Sequence, residues 1–432
     1  MSTVGAGGSD AAVQVTAENW QLPPFNRWAF WHVKEILPTL PIPRQTGPSH
    51  ELIPATASTV ATDVTLTSVD GSVVTAGQVM TDTYTDAYIV MHDGALVAEW
   101  YAPEGGPDRT HAVMSVSKSV VGCVAAALVD RNLLDTDQPV TEYVPELAAS
   151  GYADATVRHV LDMRSGVRFR EDYLDPEAEV RVLGRLIGPA PLPGAASPRG
   201  MYQYLAGLSA EAPHGQRFLY RSAETDVLGW VCERAAGKPM AELISTLIWQ
   251  PLGAEFDAEI ICDGLGTAVH DGGMCATARD LARFGQMLLD GGSVPDEGVG
   301  KRTVIGPRWL REAWAVDADA RSVFVASPAE VSMPGGWYRN QFWFRPGPYG
   351  DVLLCQGIYG QLVHVTRRTR TVCVKLSSWP EPQNRGYSQN TLRAFDAIAG
   401  ALAGRPSTGE NPRQPGVIAG RSRHGKSDRS GK

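Results

Sequence analysis

Behind Ser115-Val116-Ser117-Lys118 the chain runs through Val120, Val121, Cys123, Val124, Ala125, Ala126, Ala127, Leu128 and Val129 without a charged residue. A helix that is apolar on every side must be buried, so this segment belongs near the centre of whatever the chain folds into. Residues three apart share a helical face, which brings the Lys118 ammonium within reach of the Ser115 hydroxyl. A serine at a helix start also lies where the dipole and the free N–H groups favour negative charge. Serine is a poor nucleophile without a base, and a lysine whose pKa burial lowers from about 10.4 can be that base. These residues alone leave two readings open: a catalytic pair, or a helix carrying a solvated lysine. Most basic residues here are arginine, and Lys118 is the only lysine with a serine three positions before it. A lone charge in so apolar a neighbourhood is costly.

At 432 residues the chain can bury a large core, as two domains or as one with insertions. A formal net charge of −8 argues against nucleic acid as a partner. The N-terminus Met1-Ser2-Thr3-Val4-Gly5 lacks a basic stretch followed by an apolar one, so no secretory leader is expected. The run from Val120 to Val129 is too short to span a bilayer, so no membrane partner is expected either. Cys123, Cys232, Cys262, Cys275, Cys355 and Cys373 show no Cys-x-x-Cys spacing and read as reduced core residues. Together these features predict a cytoplasmic enzyme. No His-Glu-x-x-His, Cys/His cluster, phosphate-binding loop or Gly-x-Ser-x-Gly is present in the sequence, so neither a metal nor a cofactor is expected.

Residues 1–18 are small and polar and are expected to be disordered. The aromatic-rich stretch from Trp20 to Leu40 should pack onto the body, and residues 41–60 read as a connector. Tyr88 to Val90, Asp93-Gly94 and Leu96 to Tyr101 signal a β-hairpin. Helices are expected at Ala223–Ala236, Met240–Trp249, Thr277–Leu289 and Ser388–Leu402. Strands are expected at Ser322–Ala326, Val352–Ile358, Leu362–Thr366 and Thr371–Ser377, with Arg367-Arg368-Thr369-Arg370 turning between the last two. The Pro, Gly and Ala-rich loop Ile187–Gly200 is a candidate lid or pocket wall. Strands, then helices, then strands again predict an α/β (α+β) architecture. Its sheet domain is built from residues 19–130 and 265–404, with a mostly helical domain, 131–264, inserted. Residues 405–432 read as a disordered basic tail. A cleft between two such domains is a natural active site.

A serine–lysine pair needs a second proton handler for the leaving group. Tyr220-Arg221-Ser222, in the turn before the Ala223 helix, offers one, because a nearby ammonium lowers a tyrosine pKa from about 10. On the residues alone, a half-buried structural tyrosine is the commoner outcome.

Ser115-Val116-Ser117-Lys118 with Tyr220-x-Ser222 about a hundred residues later resembles the serine β-lactamase-like hydrolases of the class C type. That superfamily includes D,D-peptidases, family VIII esterases and the 6-aminohexanoate-dimer (nylon-oligomer) hydrolases, and the last are the closest match. Similar stretches include Asn26-Arg27-Trp28-Ala29-Phe30, Met114 to Lys118, Val140 to Leu147, Glu171-Asp172-Tyr173, Thr225 to Leu228, Cys275 to Phe284 and Val374 to Pro380, over about residues 19–402.

The resemblance implies a β-lactamase/transpeptidase-like fold, an antiparallel sheet flanked by helices. It implies Ser115 as the acylated nucleophile, Lys118 taking or sharing its proton, and Tyr220 passing a proton to the leaving group. It implies Ser222 holding Lys118, and the backbone N–H groups of Ser115 and Ile358 as the oxyanion hole. Tyr173 resembles the pocket tyrosine that closes over substrate and helps the amide nitrogen. His270 falls, by analogy, near the pocket as a contact for a substrate carboxylate. Trp337, Phe342 and Trp343 are candidates to wall an apolar acyl pocket. Where penicillin-binding enzymes carry Lys-Thr-Gly, this chain reads Gly357-Ile358-Tyr359-Gly360-Gln361 with no cation, which argues against efficient β-lactam hydrolysis. The expected partner is a small linear amide or ester. A family VIII-type carboxylesterase and a non-catalytic scaffold of the same fold are the alternatives, and a homodimer is left open.

Overall fold

The computed structural model describes residues 14–55, 60–186, 200–296 and 300–404. Asp93-Gly94 joins strand β1 (Thr85–His92) to β2 (Ala95–Tyr101), with φ of 49° and 82°, the left-handed pair that a type I′ turn needs. The apolar run forms helix α1 (Val116–Val129), whose residues from Val116 to Leu128 are all buried. Helix α2 (Ser222–Ala236) packs against it, and helix α3 (Ala278–Leu289) starts where the Thr277 hydroxyl accepts from Asp280 N at 3.1 Å. The chain then returns with β3 (Trp337–Arg339), β4 (Phe342–Arg345), β5 (Val352–Gly357), β6 (Gln361–Thr366) and β7 (Thr371–Ser377), and helix α4 (Arg385–Leu402) closes it.

The seven strands form one sheet in the order β3-β4-β5-β6-β7-β1-β2, antiparallel at every step. Strand alternation sorts its side chains. Val372, Val374 and Leu376 of β7 join the cluster that holds α1 and α3, whereas Cys373 joins the one beneath α4 with Phe395 and Ile398. Each such aliphatic side chain contributes about 1.5–3 kcal/mol when fully buried. The sheet is thus clamped on both faces, and α1, inside the larger cluster, is a rigid mount for its own N-terminus.

A second sheet of four short strands pairs Thr39–Ile42, Ala258–Ile261, Met274–Ala276 and His111–Ala112 in that order. It corrects two expectations. The presumed connector begins within a strand, and the stretch expected to be helical to residue 264 enters a strand at Ala258. Between 131 and 257 the described residues hold helices and isolated bridges. Ser322–Ala326 is also not a strand. It lies in the helix Ala318–Val325, because the Asp317 carboxylate accepts from Ala320 N at 2.8 Å and caps it, overriding the strand preference of Val323-Phe324-Val325. Met240–Trp249 is helical, but loosens from α to π geometry at Ser245.

The aromatic N-terminal stretch packs onto the body as expected. Trp20 and Phe30 are buried, and Asn26 Nδ2 donates to the Trp379 carbonyl at 2.8 Å. Val15 and Ala17, expected to be disordered, pack against this same cluster. Residues 187–199 of the candidate lid, residues 1–13 and the tail from 405 to 432 lie outside the described residues.

Candidate active site

The strand His111–Ala112 leads to a sharp turn at Met114, held at φ 48°, a left-handed conformation that costs a side-chain-bearing residue roughly 1–3 kcal/mol. Ser117 fixes that turn: its hydroxyl donates to the Met114 carbonyl at 2.6 Å and accepts from Met274 N at 3.1 Å. Ser115 follows as the N-cap of α1. One turn on, Lys118 Nζ donates to Ser115 Oγ at 2.9 Å, Ser222 Oγ at 3.1 Å and the Asp271 carbonyl at 2.7 Å, with the Asp271 carboxylate at 3.3 Å. An ammonium has three protons to give, and this surround offers acceptors for all of them.

That geometry corrects the expectation of a lysine made basic by burial. Desolvation does press the Lys118 pKa down, but Tyr220, Asp271 and Glu171 together more than reverse it, and the net shift is upward. Lys118 therefore keeps its proton. Burial raises the Tyr220 pKa, while the Lys118 ammonium and the Ser115 hydroxyl pull it back. The Lys118 ammonium lies 5.3 Å from the centroid of the Tyr220 ring.

Two residues with no assigned role complete the cluster. The Glu171 carboxylate accepts from Ser222 N at 2.9 Å, Ser222 Oγ at 2.6 Å and the Tyr173 hydroxyl at 2.5 Å. Ser222 thus relays between Glu171 and Lys118, and Tyr173 is tied to the same carboxylate. Asp271 holds Lys118 from the other side. Both had a signal in the sequence: Glu171 belongs to the Glu171-Asp172-Tyr173 stretch and Asp271 follows His270, but in each case the neighbour drew the assignment.

Ser115, Glu171, Tyr173 and Tyr220 open into a cavity of about 470 Å³, whose apolar wall includes Phe218, Trp343, Ile358 and Leu362. Ile358 comes to the nucleophile because Gly357 has no side chain. A Cβ there would lie 2.7 Å from the Val113 carbonyl and 3.0 Å from Ser115 N. Among the aromatic candidates, strand alternation turns Trp343 toward the cavity, with its ring 5.0 Å from that of Tyr220, and sends Phe342 into the core. Trp337 is likewise core, stacked on Phe344.

His270 is not part of the cavity wall. Its ring is fully buried against α2, where a Cβ on Gly229 would fall 2.2 Å away, and its Nε2 lies 3.1 Å from the Tyr202 hydroxyl. Burial lowers its pKa, so a neutral packed imidazole replaces the expected carboxylate contact. The segment Val352 to Gln361 carries no lysine or arginine, and the Gln361 side chain is spent on the backbone of Ser377. All six cysteines are free and buried, and among the described residues no cluster of His, Cys, Asp and Glu is arranged to hold a metal. No helix among them is long and apolar enough to cross a membrane.

The chain is 38% identical to the 6-aminohexanoate-dimer hydrolase of Paenarthrobacter ureafaciens over 395 residues, covering 90% of this chain and 96% of that one. It is 32% identical to esterase EstB of Burkholderia gladioli over 158 residues, 34% of this chain and 37% of that one. Its fold matches a Bacillus anthracis structure, named provisionally a 6-aminohexanoate-dimer hydrolase, with a TM-score of 0.80 at 26% identity, covering 91% of this chain and 98% of the other. The family model described as Beta-lactamase matches residues 73–398, so the chain belongs to that family and is, by family, a serine-type hydrolase.

Proposed function

We propose that this protein cleaves short linear amides of the 6-aminohexanoate-dimer kind through an acyl-enzyme on Ser115. The observation that carries this reading is the Lys118 ammonium bonded to Ser115 Oγ at 2.9 Å beside Tyr220, at the floor of a largely apolar cavity. Similarity to a 6-aminohexanoate-dimer hydrolase along nearly the whole chain supports the substrate class.

With Lys118 protonated, Tyr220 is the proton relay. Ser115 Oγ adds to the carbonyl carbon and gives its proton to the Tyr220 oxygen, while Tyr220 gives its own to the departing nitrogen. The C–N bond breaks, the amine leaves, and Tyr220 is again a neutral phenol. Water reverses the relay: its oxygen attacks the acyl carbon and one of its protons goes to Tyr220, the bond from the acyl carbon to Ser115 Oγ breaks as the Tyr220 proton returns to that oxygen, and the carboxylic acid leaves. Lys118 stays an ammonium throughout and offsets charge developing on both oxygens. The N–H groups of Ser115 and Ile358 serve the carbonyl oxygen, and Tyr173, on the cavity wall, serves the amide nitrogen.

The test is turnover of 6-aminohexanoate linear dimer, p-nitrophenyl butyrate and nitrocefin by wild type and Ser115→Ala. Dimer cleavage lost in the variant is the expected result. Ester cleavage alone, equally lost, keeps the mechanism and makes the protein a carboxylesterase. Wild-type protein inert to all three and to a fluorophosphonate label would make it a scaffold. Nitrocefin should be a poor substrate, since no cation on the segment Val352 to Gln361 is available for a β-lactam carboxylate.

A further inference from the structure

Asp226, on the second turn of α2, is fully buried and touches neither Ser115 nor the cavity. One carboxyl oxygen accepts from Asp271 N at 3.1 Å, and the carboxyl also takes a bond from the His270 backbone. Its other oxygen, Oδ2, is buried with no hydrogen-bond partner. An ionised carboxylate with one oxygen left bare in the interior is strongly unfavourable. The groups around it are Lys118 from α1, Asp271 and His270 from the loop, and Tyr152 and Tyr202 from neighbouring segments. Lys118 favours ionisation, but its short contacts go to Asp271. The partly exposed Asp271 makes the 3.3 Å contact with the ammonium, which leaves the Asp226 carboxyl with no cation in direct contact.

We propose that Asp226 works as a neutral carboxylic acid and is the positioning residue for Lys118. It fixes the His270-Asp271 backbone, which places the Asp271 carbonyl 2.7 Å from Nζ, and it does so without adding a charge to the site. Its burial pushes its pKa well above the ordinary carboxylate value, in agreement. The kinetic arm of the following test rests on the acyl-enzyme reading, but the spectroscopic arm does not.

Asp226→Asn and Asp226→Ala are compared with wild type for kcat, KM and the pH dependence of kcat on whichever substrate wild type turns over. Asn reproduces a neutral carboxyl, so it should keep kcat within about threefold and leave the alkaline side of the profile unmoved. Ala should lower kcat at least about tenfold with KM nearly unchanged, the cost of a lost hydrogen bond to the loop. Infrared difference spectra of wild type against Asp226→Asn should show a protonated-carboxyl C=O stretch present only in wild type at neutral pH. That reading needs no activity, and it survives if the Ala variant does not fold. An Asn variant as damaged as Ala, an alkaline limb displaced to lower pH in Asn, or a carboxylate rather than a carboxyl band at this position would each overturn the proposal.

Discussion

Lys118 Nζ donates to the Asp271 carbonyl at 2.7 Å and lies 3.3 Å from the same residue's carboxylate, so a single loop residue both positions the ammonium and balances its charge. The two effects separate in Asp271→Asn, which keeps the carbonyl and removes the charge. Because Asp271 helps to hold the Lys118 pKa above its ordinary value, wild-type activity should persist into alkaline solution. In Asp271→Asn the alkaline fall in kcat should begin at lower pH, by up to about one unit. A pH–rate profile superimposable on wild type would show that Asp271 contributes position alone.

Glu171 receives three hydrogen bonds, two from Ser222 and one from Tyr173. Glu171→Gln keeps one acceptor but turns an NH₂ group toward donors. Hydrogen bonds to charged groups are worth about 1.5–3 kcal/mol, so kcat/KM should fall roughly 10- to 100-fold, with most of the loss in kcat. If steady-state kinetics of the variant matched wild type, the Ser222–Glu171 link would have no part in orienting Lys118.

Gly357 is the point where β5 comes closest to the nucleophile. In Gly357→Ala the new Cβ meets the Val113 carbonyl at 2.7 Å and Ser115 N at 3.0 Å, both backbone atoms that cannot swing aside. The strand must move away from Ser115 and carry Ile358 with it. Loss of an oxyanion donor typically costs about 10²–10³ in rate, and a drop in kcat of this order is expected from a variant that still folds. Turnover within threefold of wild type would remove Ile358 from the oxyanion role.

Much of this site is legible in the sequence because local rules dictate it. The Ser115–Lys118 spacing is a helix property, the Asp93-Gly94 turn a φ property, and the strands from Val352 to Ser377 carry their own alternation. What was not legible is set by contacts between distant segments. Nothing near Lys118 in sequence reveals that Tyr220, Asp271 and Glu171 gather around it, yet together those groups reverse the sign of its pKa shift. The His270 assignment failed for the same reason. One residue decides which side chain faces α2 and which faces the ammonium, and only packing against Gly229 settles it. Strands β3 and β4 escape a sequence reading that takes Trp337, Phe342 and Trp343 as a pocket wall, because each strand is short and its alternation spans only three or four residues.

Lys375, on β7, is a second fully buried lysine, and its surroundings act oppositely to those of Lys118. Its Nζ donates to the Thr83 carbonyl at 3.0 Å and to Ser377 Oγ, and lies 5.7 Å from the centroid of the Trp379 ring. Desolvation lowers its pKa from 10.5 to about 7, opposed only in part by Asp86. The unfolded chain therefore binds one more proton than the folded one between about pH 7 and 10.5, and stability contributed by the neutral amine grows as pH rises through that window. As pH falls from about 10.5 to about 7 that contribution is lost, in all an amount on the order of 5 kcal/mol at roughly 1.4 kcal/mol per unit, and below 7 nothing more is lost. Lys375→Met cannot titrate, and the Thr83 carbonyl retains the Trp379 Nε1–H donor at 2.9 Å. Urea unfolding at pH 6.5 and pH 9 should show wild type gaining stability relative to this variant at the higher pH. An equal pH dependence for the two proteins would mean that Lys375 stays charged within the fold.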